Sequence, residues 1–175
     1  MTAALRILGL DPGSLFTGYA LVEKSGSRLT AIDSGRIACH RKTPLPERLG
    51  TLSTALENVV DQTQPDAAAL ESVFQGLNPK SLIVLAQARG ALIAVLSRRR
   101  VPVREYSPTQ VKTAVSGYGR AGKQQVAAMV QRILGLDADG LSSDETDALA
   151  IAICCAQMSR SEELQHSDSD RNVVR

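Results

Sequence analysis

Near the start of the chain, residues 7–14 read Ile7-Leu8-Gly9-Leu10-Asp11-Pro12-Gly13-Ser14. An apolar run followed at once by Pro-Gly is typical of a buried strand that ends in a turn. Asp11 stands at the end of this strand, where the active-site groups of α/β folds gather. An aspartate before Pro-Gly is also a common turn residue. The segment therefore predicts a buried first strand and leaves Asp11 as either a functional acid or a turn residue.

The remaining patterns alternate between those of strands and helices. Short apolar segments bounded by turn signals predict three strands in an antiparallel meander, at residues 6–10, 17–23 and 29–39. Beyond them, the predicted helices cover residues 46–62, 80–98, 123–134 and a stretch from 142, with strands at 67–71 and 101–106 and a further helix that begins at Ser107-Pro108. This order predicts an α/β fold with a five-stranded mixed sheet flanked by helices.

The composition is that of one packed domain. With 175 residues, 43% hydrophobic and 22% charged, the chain can bury a single core. No apolar run approaches the roughly 18 residues of a membrane span, and no signal-peptide pattern opens the chain, so we expect a cytoplasmic protein without membrane contact. The domain is placed at residues 1–158, because residues 159–175 are polar and predict a disordered C-terminal tail.

Positive charge is concentrated in one part of the chain. Between Gly76 and Gly135 lie ten basic residues and a single acidic one, a net charge of +9, although the whole chain carries only +2. A segment this basic favours a polyanionic partner such as nucleic acid. A solvated helix face is the alternative explanation.

A second acid, Glu71, ends the apolar run Ala67–Leu70. An ionised carboxylate at the end of a buried strand is costly unless a cation or hydrogen bonds stabilise it. No turn pattern explains an acid in this place, which makes a functional role more attractive for Glu71 than for Asp11.

The last predicted helix adds Asp144 and Asp147, which share a face because they are three residues apart. Ser142 and Glu145 fit a capping box at its start, and Glu145 is expected to face water. An interaction with the helix dipole is enough to explain Asp144. Asp147 lies on one line with the apolar Ile151, so we expect it to point inward and to need a partner.

Four inward carboxylates with no histidine among them describe a site for a hard cation, Mg²⁺ or Mn²⁺. Two such ions, about 3.5 to 4 Å apart, could activate a water and stabilise the departing oxygen of a phosphodiester. The acids together with the basic segment therefore indicate hydrolysis of a nucleic-acid backbone.

From Arg6 to about Met158 the chain resembles the RuvC Holliday junction resolvases. Five motifs in order carry the resemblance: Gly9–Ser14 with Thr17-Gly18-Tyr19, Glu71–Phe74, Gln87–Gly90, Gln110–Lys112 and Asp144–Ala150. The resemblance implies a ribonuclease H-like fold, a homodimer that binds four-way junction DNA, and paired cuts leaving 5′-phosphate and 3′-hydroxyl ends. It further implies RuvA and RuvB as partners and a thymine-rich cut site.

The same resemblance assigns Asp11, Glu71, Asp144 and Asp147 as ligands of two Mg²⁺ ions, for which Mn²⁺ can substitute. Some members of the family have a histidine at the position of Asp144, so the aspartate here is a variant within the pattern.

Six residues are candidate DNA contacts: Phe74, Arg89, Lys112, Tyr118, Arg120 and Lys123. In similar proteins Lys112 and Lys123 lie beside the scissile phosphate; on composition alone they are as well explained as solvent-facing lysines. Phe74 and Tyr118 occupy polar or glycine-rich loops and could stack on bases. For Phe74, anchoring the core is the alternative.

Three other functions fit parts of the pattern. The segment from Asp11 to Gly18 also occurs in ATP-binding proteins of the actin and hexokinase class, but those pair two domains around the nucleotide. A non-catalytic junction-binding protein would keep the basic segment and lose an acid. The YqgF-like relatives of RuvC are closer, but the motifs at Glu71–Phe74 and Gln87–Gly90 favour RuvC.

Overall fold

The computed structural model describes residues 4–72, 78–137 and 140–171, with side chains up to Ser159. The described chain forms strands β1 (Leu5–Asp11), β2 (Phe16–Ser25), β3 (Arg28–Ala38), β4 (Ala67–Glu71) and β5 (Val103–Tyr106), and helices α1 (Leu45–Thr63), α2 (Pro79–Arg98), α3 (Pro108–Ser116), α4 (Lys123–Leu134) and α5 (Ser143–Arg171). Every strand and helix predicted from the sequence is present.

The five strands form one sheet in the order β3-β2-β1-β4-β5. The pairs β1–β2 and β2–β3 are antiparallel, whereas β1–β4 and β4–β5 are parallel. This confirms the predicted mixed sheet. Because β1 and β4 run in the same direction with Leu10 opposite Leu70, Asp11 and Glu71 follow at the same edge.

Side-chain alternation sends the two acids to one face of the sheet. Ile7 and Ala69 belong to the core beneath α3, α4 and α5, whereas Leu8 and Leu70 belong to the core beneath α1 and α2. Counting in steps of two from Ile7 and Ala69 leads to Asp11 and Glu71. Both acids therefore lie on the face that α5 covers.

On that face, α5 approaches the strands almost backbone to backbone. A Cβ atom on Gly9 would lie 2.1 Å from the carbonyl oxygen of Ala148, and one on Gly18 would lie 2.0 Å from that of Asp144. Only glycine, which has no Cβ, allows the strand and helix backbones to come this close. Glycines inside strands often mark such close approaches. The first turns of α5 are consequently seated directly on β1 and β2.

The opposite face is covered by α1 and α2, and α2 is only partly buried. Its second half contributes Leu92, Val95 and Leu96 to the core, but Ile83 in its first half is 59% exposed. Among the described helices α2 is long and apolar enough to span a membrane by length and composition alone. It packs against α1 and supplies core residues from its second half.

Helix α5 extends past residue 159, where the predicted C-terminal tail begins. In the structure α5 continues through residue 159 to Arg171, and Ser159 is buried, with its hydroxyl donating to the Cys155 carbonyl at 2.8 Å. Extending an existing helix costs far less than nucleating a new one, so polar residues can continue it without an apolar face. The division of the chain into a domain and a tail at this point stays a prediction.

Candidate active site

Asp11 and Glu71 are held at the ends of the two central parallel strands. Both side chains are half-buried, and β4 is otherwise buried throughout Ala67–Leu70. The backbone of Glu71 is fixed from behind, because the Arg89 Nε donates to its carbonyl oxygen at 3.3 Å. Strand pairing thus fixes the separation of the two acids before any ligand is considered.

The first turn of α5 brings the other two aspartates to the same edge. Its predicted capping box is present: the Glu145 backbone N–H donates to the Ser142 hydroxyl at 3.3 Å, and the Ser142 N–H donates to the Glu145 carboxylate at 3.0 Å. The prediction that Glu145 faces water is wrong. Its carboxylate also accepts a hydrogen bond from the Ser34 hydroxyl at 3.1 Å, so it ties the helix start to β3.

A cavity of about 390 Å³ opens between these elements. It is lined by Asp11, Glu71, Pro108, Val111, Lys112, Lys123, Val126, Asp147, Ala150 and Ile151. Three of the four predicted acids and both predicted lysines therefore meet around one space. Asp144 does not line the cavity, but its charge contributes to raising the pKa of Asp11.

Burial and the neighbouring acids raise the pKa values of Asp11 and Glu71. Burial, followed by the charges of Asp147, Glu71 and Asp144, raises the pKa of Asp11 to about 7. The pKa of Glu71 is raised by burial and then by Asp147. Because Asp147 attracts its ammonium group at 3.2 Å, Lys123 has a pKa above its ordinary value. The site therefore holds more negative charge than its own lysines neutralise.

Such a site is suited to a divalent cation by its chemistry, although the side chains do not enclose one directly. Within the described residues, no three acidic, cysteine or histidine side chains are close enough together to hold a metal ion between them. An all-oxygen donor set with excess negative charge fits Mg²⁺ or Mn²⁺ and does not fit zinc.

The other candidate DNA contacts are not all at the cavity. Tyr118 is 59% exposed and Arg120 is exposed, both in the loop between α3 and α4, and neither lines the cavity. Only 12% of the Arg89 side chain is exposed, and its guanidinium pairs with Glu105 at 2.8 Å besides bonding Glu71. Phe74 lies outside the described residues.

Two residues near the site were not singled out by the sequence. Arg36 on β3 places a guanidinium nitrogen 3.6 Å from the Asp144 carboxylate, and its guanidinium carbon lies 4.6 Å from the centre of the Phe16 ring. Arg36 is outside the basic segment, and its place beside Asp144 depends on the β2–β3 register. No local sequence pattern points to Arg36 or Phe16. Gly18 lies opposite Arg36 on the neighbouring strand, and it marks the place where α5 approaches the sheet.

Comparison with known proteins agrees with this arrangement. The family model described as "Crossover junction endodeoxyribonuclease RuvC" matches residues 7–155. A crossover junction endodeoxyribonuclease RuvC of Cupriavidus metallidurans is 49% identical over 152 residues, which cover 87% of this chain and 83% of the relative. One from Trichlorobacter lovleyi is 45% identical over 150 residues, covering 86% and 84%.

Among solved structures, T. thermophilus RuvC in complex with a Holliday junction substrate superposes with a TM-score of 0.85 at 31% identity, covering 90% of this chain and 96% of that one. The shared fold is the ribonuclease H-like fold that the sequence resemblance implies. Because the family model matches residues 7–155, it favours RuvC over its YqgF-like relatives and over the ATP-binding class. The chain therefore belongs to the RuvC family of crossover junction endodeoxyribonucleases.

Proposed function

We propose that this protein resolves Holliday junctions by hydrolysing one phosphodiester in each of two opposed strands, with two Mg²⁺ ions held by Asp11, Glu71, Asp144 and Asp147. The observation that carries the proposal is the single cavity that three of these acids share with Lys112 and Lys123. Cut ends with 5′-phosphate and 3′-hydroxyl groups are part of the same proposal. Mn²⁺, which prefers similar oxygen ligands, is expected to substitute.

The divalent ions would supply an activated water and stabilise the charge on the leaving oxygen. The protein's own groups have separate tasks. Asp11 and Glu71, fixed at the ends of paired strands, provide ligands of set separation, while Asp144 and Asp147 come from a helix whose start is fixed by Ser142 and by contact with the sheet. Preorganised ligands of this kind need little rearrangement during the reaction.

The lysines act on the phosphate. Lys112 on α3 and Lys123 at the start of α4 both line the cavity, so a phosphodiester that enters it meets positive charge opposite the acids. Lys123 already pairs with Asp147 at 3.2 Å, which keeps its ammonium group beside the acids although most of its side chain is exposed. These contacts would neutralise the scissile phosphate and hold it in place.

A dimer gives the protein two such sites, one for each strand to be cut. We propose the first half of α2 as its interface, because Ile83 is mostly exposed there and Leu82, Val84 and Leu85 are only half-buried. Isologous dimers commonly bury an apolar patch of this type. Replacing Ile83 with Asp should convert a dimer to monomers in sedimentation at micromolar concentration, and an unchanged mass would place the interface elsewhere.

Further parts of the proposal follow the family. We propose that RuvA and RuvB deliver the junction to this protein. We also propose that it prefers to cut at a thymine-rich sequence and that it acts in the cytoplasm. They are separate from the chemistry of the cavity, and each can fail without affecting it.

The direct test is to incubate the purified protein and Mg²⁺ with labelled duplex, flap and four-way DNA. Paired nicks in the four-way substrate alone are expected, and in a supercoiled cruciform they should give linear product. An Asp147→Asn variant, prepared in the same way, controls for contaminating nucleases. Cleavage of all three substrates at equal rates would contradict junction specificity, and long-lived nicked circles would contradict paired cutting.

A further inference from the structure

One flank of the active site is formed by an arginine stacked on an aromatic ring. Phe16 and Gly18 are two residues apart on β2, and Arg36 on β3 stands opposite Gly18, so all three lie on the face covered by α5. The Arg36 guanidinium carbon is 4.6 Å from the centre of the Phe16 ring. Phe16 and Arg36 thus form one unit, which we call the Arg36–Phe16 pair.

This pair stands on β2 and β3, whereas Lys112 and Lys123 stand on α3 and α4. Arg36 reaches towards Asp144, whereas Lys123 reaches towards Asp147 three residues later. The acids at the start of α5 consequently have a cation on each flank. A strand passing over the cavity would meet Lys112 and Lys123 from one flank and Arg36 from the other.

The contacts of Arg36 leave its donors accessible. Its side chain is 44% exposed, and its distance to the Asp144 carboxylate, 3.6 Å, is an ion pair too long to be a hydrogen bond. Exposed pairs of this kind contribute little to stability. Stacking, by contrast, fixes the plane of a guanidinium and leaves the N–H groups at its edge free to bind a planar or tetrahedral oxyanion.

The cost of exposing Phe16 also needs an explanation. It is one of two phenylalanines in the chain, and 45% of it is in contact with solvent. An aromatic ring at this position does little for the core, but it orients the arginine above it. That combination is found where an arginine binds phosphate.

We propose that the Arg36–Phe16 pair is a phosphate-binding element that contacts the DNA backbone on the β2–β3 flank of the active site. The proposal rests on the proposed function, because it takes DNA to be the ligand, and it adds a contact outside the basic segment. Arg36 binds the phosphodiester through its N–H groups, and Phe16 holds the guanidinium in the orientation that this requires.

The test measures binding of a labelled four-way junction by fluorescence anisotropy in Ca²⁺ at several salt concentrations, so that cleavage is not the readout. Arg36→Gln should weaken binding about threefold to tenfold at moderate salt and lower the slope of log K against log salt by about one unit, the change for one lost phosphate contact. Arg36→Lys should keep the slope, because the charge remains. Phe16→Leu should weaken binding with the slope unchanged.

Arg28→Gln is the matched control, because it removes the same charge from the other end of the same strand, where Arg28 is exposed. An equal loss of affinity in Arg28→Gln and Arg36→Gln would overturn the proposal and leave only a general effect of net charge. Unchanged affinity and slope in a folded Arg36→Gln protein, with altered cleavage, would also overturn it and assign Arg36 to the positioning of Asp144. If the wild-type protein does not bind the junction at all, the proposed function itself fails.

Discussion

On one face of the sheet, α5 touches β1 and β2 through glycines, whereas on the other face α1 and α2 are held off by leucine and valine side chains. The first contact brings helix backbone and strand backbone together at Gly9 and Gly18. The second is built from large residues such as Leu52, Leu56 and Leu92. The α5 face fixes the positions of the candidate catalytic acids, while the α1–α2 face leaves Ile83 of α2 largely exposed.

The largest effect is expected at the acids of the α5 face. Each of Asp11→Asn, Glu71→Gln, Asp144→Asn and Asp147→Asn should slow junction cleavage by about a thousandfold or more, since loss of several kcal/mol of charge stabilisation has that consequence. Junction binding should stay the same or strengthen, because repulsion towards phosphate falls. Single-turnover cleavage and anisotropy measure the two quantities.

Glu57→Gln on α1 is the control from the opposite face. Glu57 pairs with Arg98 far from the cavity, and its amide variant should cut at the wild-type rate. A near-normal rate for Asp147→Asn would remove Asp147 from the site and would weaken the distinction between the faces.

The next effect concerns the close contact itself. Gly18→Ala puts a methyl group 2.0 Å from a backbone oxygen that cannot turn away, and we expect a loss of about 3 kcal/mol in the free energy of unfolding. Gly50→Ala on α1 meets nothing within 4 Å and should instead stabilise the protein by about 0.5 to 1 kcal/mol. Urea denaturation distinguishes these outcomes, and equal shifts would show that α5 can move off the sheet at no cost.

These differences mark where sequence reasoning succeeds. Strand ends, periodic helices and the spacing of Asp144 and Asp147 are local patterns, so the fold and the four candidate acids could be predicted from them. Lys112 and Lys123 became candidates only through the family resemblance, and the structure places both at the cavity with Asp11, Glu71 and Asp147. Contacts that depend on register could not. Arg36 meets Asp144 only because it faces Gly18 across β2 and β3, and Arg89 serves the Glu71 backbone because α2 crosses behind β4.

Glu145 was misjudged for the same reason. Helical periodicity turns it away from Asp144 and Asp147, but periodicity contains no information on β3, whose Ser34 supplies the second hydrogen bond. Burial alone would raise the pKa of Glu145, and hydrogen bonds from Ser142 and Ser34 outweigh it, so the pKa is lowered. Glu145, which its helical position predicts to be on the surface, therefore helps to fix the start of α5 against β3.

A third prediction uses the protonation of Asp11. Its pKa in the folded protein is about 7 instead of 3.8, so the folded state binds this proton more tightly. The metal-free protein should therefore lose stability as the pH rises from about 4 to 7 and stay destabilised above that range. Asp11→Asn should remove this loss. At pH 8 the variant's free energy of unfolding should exceed that of the wild type by about 2 kcal/mol, and at pH 4 the two should be equal. The figure of about 2 kcal/mol is smaller than the full pKa shift would give, because Asp11 is partly exposed to solvent.

Denaturant melts of metal-free protein at the two pH values provide the measurement. Asp33→Asn, on an exposed position of β3, serves as the matched charge removal. If both variants respond to pH alike, the effect belongs to net charge and not to the group of acids at the cavity.

The lysines of the α5 face should give a smaller effect. Lys112→Ala and Lys123→Ala should each slow cleavage about tenfold, less than the loss of a fully buried donor because both side chains reach solvent. Melting temperature should barely change. Lys42→Ala, between β3 and α1, removes the same charge from an exposed position outside the cavity and should leave cleavage unaffected. Unchanged cleavage rates in both cavity variants would show that Lys112 and Lys123 do not act on the phosphate and are solvent-facing lysines.

The smallest effect is expected at the end of α5. Deleting residues 160–175 should shift the melting temperature by less than about 2 °C and leave cleavage within twofold, since a change below about 1 kcal/mol has that effect in a domain of this size. Deleting residues 159–175 removes one more residue, Ser159, whose hydroxyl bonds the Cys155 carbonyl and accepts from Arg104 at 3.2 Å. The longer deletion should therefore be measurably less stable than the shorter one. A large loss already in the 160–175 deletion would show that the end of α5 packs on the domain and would move the domain boundary past residue 159.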